Sequence, residues 1–217
     1  MLKTTISNWL RRIGLLYGVD RMHYFFKRLQ FSSKNQRFLK QHPELKFPPS
    51  DVLYETYRME YQSYFEDGKQ TAKDIVALIS KYIPLENKAI LDWGCGPARV
   101  VRHLPKLLPQ SKIFGSDYNE AIIRWCNKNI PGVEFKRNQL EPPLEFGENF
   151  FDAVYAVSIF THLSEENHFK WINEIDRVMK PEGIFLFTTQ GNAFIKKLST
   201  NEKEKFLKNE LVVRGDV

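Results

Sequence analysis

The chain has 217 residues, enough for one sizeable core with an appended element. A hydrophobic content of 42% and an aromatic content of 14% exclude a disordered chain, and no apolar run reaches the roughly 18 residues of a membrane span. The net charge of +6 is uneven: residues 1–50 hold ten basic against two acidic side chains, a balance of +8, and residues 51–217 carry −2. The basic segment 1–50 is most simply an accessory helix with a solvated face. The alternatives are that it contacts nucleic acid, an anionic membrane surface or an acidic substrate.

The N-terminal residues and the cysteines bear on the compartment. Residues 1–31 contain no apolar signal region followed by a cleavage site. Cys95 and Cys126 lack the spacing of metal ligands, so no metal site is expected. Together these features predict a protein of the reducing cytoplasm.

The sequence pattern predicts two regions. Residues 1–50 are expected to form one or two amphipathic helices that make a basic extension or cap, and residues 51–217 are expected to form a second domain. Pro43, Pro48 and Pro49 end the helical pattern of the extension. Ser50 or Asp51 then caps a helix that runs through Tyr61, and apolar periodicity predicts another helix over residues 71–82. Four tyrosines at helical spacing share one face, which favours packing over a cofactor site: Tyr54, Tyr57, Tyr61 and Tyr64.

From residue 88 onward, short apolar runs alternate with helical patterns. The predicted strands are residues 89–93, 112–116, 133–136, 151–157 and 183–189. The predicted helices are residues 98–108, 120–128, 165–179 and 193–209, the third with its apolar face formed by Phe169, Ile172, Ile175, Val178 and Met179. This alternation predicts an α/β fold with a doubly wound, mostly parallel sheet.

The most informative stretch is the turn from the first strand into the next predicted helix. Gly94 and Gly96 permit positive φ angles and close approach of a ligand to the backbone, and a helix N-terminus there favours an anionic ligand group. Asp92 stands two residues before the first glycine. A carboxylate at this position favours a cationic group, such as an amino acid ammonium, over a pyrophosphate.

Asp117 follows Gly96 by 21 residues and ends the second strand. A carboxylate at this spacing is placed to accept hydrogen bonds from both ribose hydroxyls of an adenosine, and Tyr118 is placed to cover the adenine face. The competing interpretation makes Asp117 the N-cap of the next helix, a role that Asn119 also suits. With the upstream loop, the spacing favours an adenosine that bears an amino acid.

The stretch from about residue 75 to 191 resembles the class I S-adenosylmethionine-dependent methyltransferase family, in its small-molecule type. Its glycine loop reads Leu91-Asp92-Trp93-Gly94-Cys95-Gly96-Pro97-Ala98-Arg99 and has Ala98 where the family has a third glycine. Residues 149–154 and 176–183 resemble further blocks of the family. The resemblance implies a Rossmann-like fold, S-adenosylmethionine as cofactor, and methyl transfer to a small-molecule or glycan acceptor.

The resemblance also implies the cofactor contacts. Gly94, Cys95 and Gly96 form the loop under the methionine part, Asp92 lies near its amino group, and Asp117 holds the ribose. Asn138, Gln139 and Leu140 approach the adenine, with Asn138 or Gln139 as the acceptor for its amino group. Ser158 lines the methyl-donor side or is an ordinary hydroxyl at the end of a strand. His162 is the candidate catalytic base, because an imidazole accepts a proton near neutral pH; the alternative is a structural role.

The C-terminal end departs from the family, whose sheet usually has two more strands beside the fifth. Here only the predicted helix and the apolar residues 211–213 follow, so the strand pair is expected to be incomplete. The fifth strand would then be an exposed edge through which two copies could pair.

Three other functions stay open. An NAD-dependent oxidoreductase shares the loop and the acidic residue, but Arg99 stands at its third glycine. A short C-terminus suits a protein that binds the cofactor without catalysis. An RNA methyltransferase would use the basic N-terminus, although the aromatic and basic interleaving typical of nucleic-acid binding is absent.

Overall fold

The computed structural model describes residues 16–212, which form seven α-helices and five β-strands. Residues 1–15 of the expected extension and residue 213 of the expected 211–213 segment lie outside this range. The helices are α1 (Leu16–Gln41), α2 (Ser50–Thr56), α3 (Tyr61–Ile79), α4 (Leu104–Leu107), α5 (Glu120–Asn129), α6 (Glu165–Val178) and α7 (Thr200–Leu207). The strands are β1 (Ala89–Trp93), β2 (Lys112–Asp117), β3 (Glu134–Arg137), β4 (Phe151–Ala156) and β5 (Met179–Phe187).

The five strands form one sheet in the order β3-β2-β1-β4-β5, and every neighbouring pair is parallel. β4 is buried along its whole length, as expected for a strand covered on both faces. Asp92 of β1 lies in register with Gly115 of β2 and Tyr155 of β4. The carboxyl ends of the strands therefore meet at one edge of the sheet, and the predicted doubly wound parallel fold is confirmed.

The core consists of two apolar clusters on opposite faces of the sheet. On one face, α3 and α5 contribute Ala72, Ile75, Ile79 and the Ile122–Ile123 pair. On the other, α6 and the loop between β3 and β4 contribute an aromatic-rich cluster, which includes Phe114, Leu144, Phe146, Phe151, Trp171 and Ile175. β5 lies at the sheet edge and pairs with β4 among the described strands, as expected from the C-terminal pattern.

The single helix expected from Ser50 through Tyr61 is wrong. α2 ends at Thr56, and α3 begins at Tyr61, ten residues before the helix expected over residues 71–82. The break is held from α1, where the Asn35 side chain donates to Met59 O at 2.8 Å and accepts from Tyr61 N at 2.9 Å. A tertiary contact thus satisfies the backbone groups that a continuous helix would have paired internally.

The apolar face predicted for α6 is partly wrong. Phe169 and Ile172 are 65% and 46% exposed, whereas Trp171, Glu174, Ile175 and Val178 are buried. A charged residue belongs to the buried face because Glu174 is fully paired: its carboxylate accepts from Leu144 N at 2.6 Å and from Arg177 Nη2 at 2.6 Å. Arg177 also donates to Phe146 O, so the pair anchors the loop between β3 and β4.

The expected helix over residues 193–209 is also divided. A 3-10 segment spans Asn192–Lys197, and α7 begins only after Ser199, which caps it in a reciprocal capping box with Glu202. Residues 211 and 212 are not in a strand.

Two structural absences apply to residues 16–212. No helix in this range is long and apolar enough to cross a membrane. Within the same residues, no group of three or more histidine, cysteine or acidic side chains is arranged to hold a metal ion.

Candidate functional site

The glycine loop leaves β1 at the centre of the sheet edge and crosses towards β2. Gly94 N and Cys95 N donate to Ser116 O at 2.8 and 2.9 Å, and Gly96 N donates to the Asp117 carboxylate at 3.0 Å. Gly94 and Gly96 have φ angles of 75° and 50°. A side chain on Gly94 would collide with Ile159, whereas a Cβ on Gly96 would meet no atom within 4 Å. The space over Gly96 is therefore open to a ligand.

The helix expected over residues 98–108 is wrong at its start. Turns follow Gly96, then a 3-10 segment at Val101–His103 and the four-residue α4. Ala98 has a φ of 64°, which a right-handed helix does not allow. The expected helix N-terminus, with its free N–H groups, is thus absent from the glycine loop, and the N–H groups of Gly94, Cys95 and Gly96 are paired with β2 instead.

Ala98 explains why a third glycine suits this position. Its side chain is completely buried. Its backbone lies in the left-handed region of φ and ψ, where the presence of a Cβ costs about 1–2 kcal/mol. Glycine has no Cβ and avoids this cost, and alanine is the smallest residue that does not.

Asp117 ends β2 with its carboxylate buried and only partly used. One oxygen accepts from Gly96 N and the other from Asn119 N at 2.9 Å, and each keeps a second lone pair. The N-cap of α5 is Asn119, whose side chain accepts from Ala121 N and Ile122 N, so Asp117 is not the cap. Burial raises the pKa of Asp117, as expected for a carboxylate held away from water.

Asn138, just after β3, brings a second acceptor to the same edge. Its N–H donates to Asp117 O and its side-chain amide to Gln139 O at 2.6 Å, while Oδ1 is buried without a hydrogen-bond partner among the described residues. A buried oxygen of this kind is costly unless a ligand satisfies it. Gln139 is exposed, as are Tyr118 and Leu140, at 56% and 68%.

Asp92 is the most perturbed carboxyl group of the site. It is 3% exposed, and burial raises its pKa to about 7 against the lowering effects of the Tyr155 hydroxyl and the Arg99 guanidinium. Asp117 adds to the rise through like-charge repulsion. A cationic ligand group beside Asp92 would reverse this shift.

The thiol of Cys95 packs beneath the loop. Its Sγ donates to Gly96 O at 3.5 Å and lies against β2 at Gly115. Burial raises the pKa of Cys95 well above its ordinary value, so the thiol is neutral. Any contact of Cys95 with a ligand over Gly96 would therefore come from its backbone.

Ser158 and His162 follow β4 on the same edge of the sheet. Ser158 has a φ of 63°, and its N–H donates to Thr188 Oγ1 at 2.7 Å, which ties the end of β4 to the segment after β5. His162 closes a 3-10 turn, Phe160–His162, and is exposed. Both side chains lie at the surface, beyond the buried carboxylates.

α3 holds the glycine loop from the other side, a contact that the sequence did not predict. The Tyr64 hydroxyl donates to Pro97 O at 2.6 Å, and a Cβ on Gly68 would lie 2.1 Å from Arg99 O. The Arg99 guanidinium stacks 4.4 Å from the Tyr57 ring centroid. A glycine inside a helix costs about 1 kcal/mol, so Gly68 was the available signal of a close contact.

Arg102 belongs to the same contact. It donates to Lys46 O at 2.8 Å and lies over the rings of Phe47 and Phe65 at 5.6 and 5.7 Å. This side chain fastens the segment between α1 and α2 onto α3.

The structure is thus a doubly wound domain with two buried carboxyl groups and a buried amide, those of Asp92, Asp117 and Asn138, at the carboxyl edge of its sheet. A family model described as a methyltransferase domain matches residues 90–183. The malonyl-[acyl-carrier protein] O-methyltransferase of Bacillus cereus is 26% identical over 164 residues, 69% of this chain and 57% of that protein. The fatty-acid O-methyltransferase of Mycolicibacterium smegmatis is 32% identical over 106 residues, 48% of this chain and 38% of that protein. The crystal structure of DesVI from Streptomyces venezuelae shares the fold, with a TM-score of 0.53 and 18% identity over 67% of this chain and 59% of that one.

Over residues 90–183 the chain carries a methyltransferase domain of the class I S-adenosylmethionine-dependent type, whose cofactor is S-adenosylmethionine. The chain spans about half the length of the curated relatives it matches.

Proposed function

We propose that this chain transfers the methyl group of S-adenosylmethionine to a carboxylate oxygen of a small or carrier-linked acid. The arrangement at the ends of β2 and β3 carries the cofactor half of this proposal. Asp117 keeps a lone pair on each oxygen, and Asn138 presents a buried Oδ1 without a partner among the described residues. These are the acceptors that a ribose diol and an adenine amino group require.

Each of the predicted cofactor-binding residues has a role in the proposal. Asp117 accepts from the two ribose hydroxyls, and Asn138 accepts from the adenine amino group. Asp92 pairs with the ammonium, and Gly94, Cys95 and Gly96 provide the backbone surface beneath the methionine part. The exposed side chains beside the adenine position are Tyr118, Gln139 and Leu140, of which Tyr118 and Leu140 cover the ring.

The cofactor, when bound, supplies a methyl group on a positively charged sulfur, which an acceptor lone pair displaces in line. Positioning provides much of the acceleration of such a step. A carboxylate acceptor is already ionised at neutral pH and needs no base. With such an acceptor, His162 and Ser158 orient the substrate, whereas an alcohol or amine acceptor would require His162 as the base.

The names of the relatives support the acceptor class. A malonyl-[acyl-carrier protein] O-methyltransferase, a fatty-acid O-methyltransferase and the trans-aconitate 2-methyltransferase of Rhodopseudomonas palustris all take their names from carboxylic acids. They favour an acid over a glycan.

The cofactor contacts are tested by titrating S-adenosylhomocysteine and its inosine analogue, which lacks the adenine amino group. The wild type is expected to bind S-adenosylhomocysteine about 10-fold or more tightly than the analogue. Asn138→Ala should abolish this preference, whereas Gln139→Ala should keep it. The reverse outcome for these two variants would assign the adenine contact to Gln139, and no binding of either ligand by the wild type would overturn the cofactor site.

Asp117→Asn tests the ribose contact. The variant should bind S-adenosylhomocysteine at least about 10-fold more weakly than the wild type, since charge-assisted hydrogen bonds are worth about 1.5–3 kcal/mol each. Glu120→Gln removes a charge from an exposed residue nearby and should bind normally. Equal affinity of the two variants would contradict the role of Asp117.

The acceptor is tested with methyl-labelled S-adenosylmethionine and a panel of acids, alcohols and amines. Base-labile label, released as methanol, is expected with an acid only. His162→Gln should then leave kcat within about threefold. Turnover confined to alcohols or amines, with kcat reduced at least about 100-fold in His162→Gln, would replace the carboxylate by an acceptor that must lose a proton.

A further inference from the structure

α1 presents a continuous row of large apolar side chains to solvent. Val19, Met22, Phe25, Phe26 and Leu29 are between 42% and 64% exposed. We call these five residues the α1 stripe. Isolated exposed apolar residues are ordinary at a protein surface, but five neighbours on one helix face form a patch of the kind that marks an interaction site.

The α1 stripe points away from the other elements that the structure describes. At about 100° per residue, its five side chains fall within about 120° of the helix circumference. The side chains that contact α2, α3 and their connection lie roughly opposite: Asp20 accepts from Tyr54, Tyr24 bonds Ser50, and Asn35 and Phe38 pack at the break before α3. The contacts that dock α1 therefore leave the stripe outermost.

Basic residues lie beside one border of the α1 stripe. α1 holds six Lys or Arg residues and one acidic residue, Asp20. On the same helical projection, Arg21 and Arg28 lie about 40–60° outside one border of the stripe, whereas Lys27 lies about 80° outside the other, next to the side chains that dock α1. Residues 51–217, in contrast, carry a net charge of −2, so the positive surface coincides with the apolar one.

We infer that the α1 stripe docks onto an anionic lipid surface, with α1 lying in the plane of the interface. A helix with phenylalanine and leucine on one face, arginines beside that face and a strong excess of basic residues binds in this way, with its apolar side chains inserted and its cations at the headgroups. The stripe is a convex row on one helix, which suits a deformable surface. The charge complementarity favours anionic lipid over a second copy, whose α1 would carry the same positive charge. This inference is independent of the methyl acceptor.

The experiment is co-sedimentation of the full chain with vesicles of phosphatidylcholine alone and of phosphatidylcholine and phosphatidylglycerol at about 2:1. Phe25→Ser combined with Phe26→Ser removes the centre of the α1 stripe. Phe169→Ser combined with Ile172→Ser removes comparable exposed apolar surface from α6 and is the matched control. Retained cooperative unfolding and S-adenosylhomocysteine binding show that both variants are folded.

The wild type should bind the anionic vesicles, bind the neutral ones more weakly, and release as salt is raised. The α1 variant should lose at least about tenfold in partitioning, because each phenylalanine contributes apolar area to insertion, and the α6 variant should match the wild type. Wild type that binds no vesicles, or equal binding by the wild type and the α1 variant, would overturn the inference. A dimer in light scattering that the α1 variant converts to monomer, without vesicle binding by the wild type, would assign the stripe to a second copy instead.

Discussion

The buried carboxyl group of Asp92 gives the most direct test of the site without a methyl acceptor. Its pKa rises from an ordinary value of 3.8 to about 7 in the folded protein, chiefly through burial. A difference of about 3 units corresponds to about 4 kcal/mol. Because the folded state holds the Asp92 proton between pH 3.8 and 7 and the unfolded state does not, this group lowers stability progressively as pH rises through that interval.

Asp92→Asn keeps the shape of the side chain and removes the charge. Without cofactor, the variant should match the wild type near pH 4 and exceed it by up to about 4 kcal/mol at pH 8. The measurement is urea unfolding of both proteins at several pH values, with the difference in free energy of unfolding plotted against pH. Asp176→Asn, which removes an exposed carboxylate from α6, is the control. A difference that does not change with pH, or a variant less stable than the wild type at pH 8, would refute the reasoning.

The same substitution should cost binding. If an ammonium offsets the buried charge, the wild type should bind S-adenosylhomocysteine about 10-fold more tightly at pH 8 than at pH 6, because ionisation of Asp92 then precedes binding. Asp92→Asn should bind more weakly and lose most of this pH dependence. The ionised Asp92 is thus expected to destabilise the protein without cofactor and to strengthen the binding of the cofactor.

Substitutions at three further positions test the packing around the site, each by chemical unfolding. Gly68→Ala places a Cβ about 2.1 Å from Arg99 O and should destabilise by at least about 2 kcal/mol, and an unchanged midpoint would contradict the close contact. Ala98→Val puts a β-branched residue at a φ of 64° and should lower the free energy of unfolding by at least about 2 kcal/mol. Ala98→Gly should change it by less than about 1 kcal/mol, because relief of backbone strain offsets the lost burial and the added entropy of the unfolded chain. Equal losses in the two variants would argue against strain at this position. Arg177→Ala leaves Glu174 buried without its cation and should cost about 3–5 kcal/mol, and an unchanged midpoint would argue against the pair.

The strands and the placement of Asp92 and Asp117 could be predicted from sequence for a local reason. Short apolar runs bounded by turn residues define a parallel sheet, and such a sheet brings its carboxyl ends together whatever the details of packing. Which of Asn138 and Gln139 presents the buried acceptor could not be predicted from such local patterns. It depends on which side chain turns inward after β3, and only the structure shows Asn138 buried and Gln139 exposed.

Three of the errors share a different origin, since each depends on a partner that is distant in sequence. Asn35 divides the expected helix before Tyr61. Glu174 reaches the buried face of α6 because Arg177 and Leu144 N satisfy it. In the glycine loop, bonds to β2 and the left-handed Ala98 replace the expected helix start. Local propensity carries no information on such partners.

The contact between Gly68 and Arg99 bears on how parts of this protein could be exchanged with those of a relative. α3 touches the glycine loop through Gly68 and Tyr64, and Arg102 grips the segment that follows α1. A chimera joined near residue 50 would separate surfaces that were shaped together. A junction after α3, beyond Ser80, would move residues 16–80 together. The contacts of Tyr64 and Gly68 with the glycine loop, and those of Arg102 with residues 46, 47 and 65, would then be the surfaces that have to match.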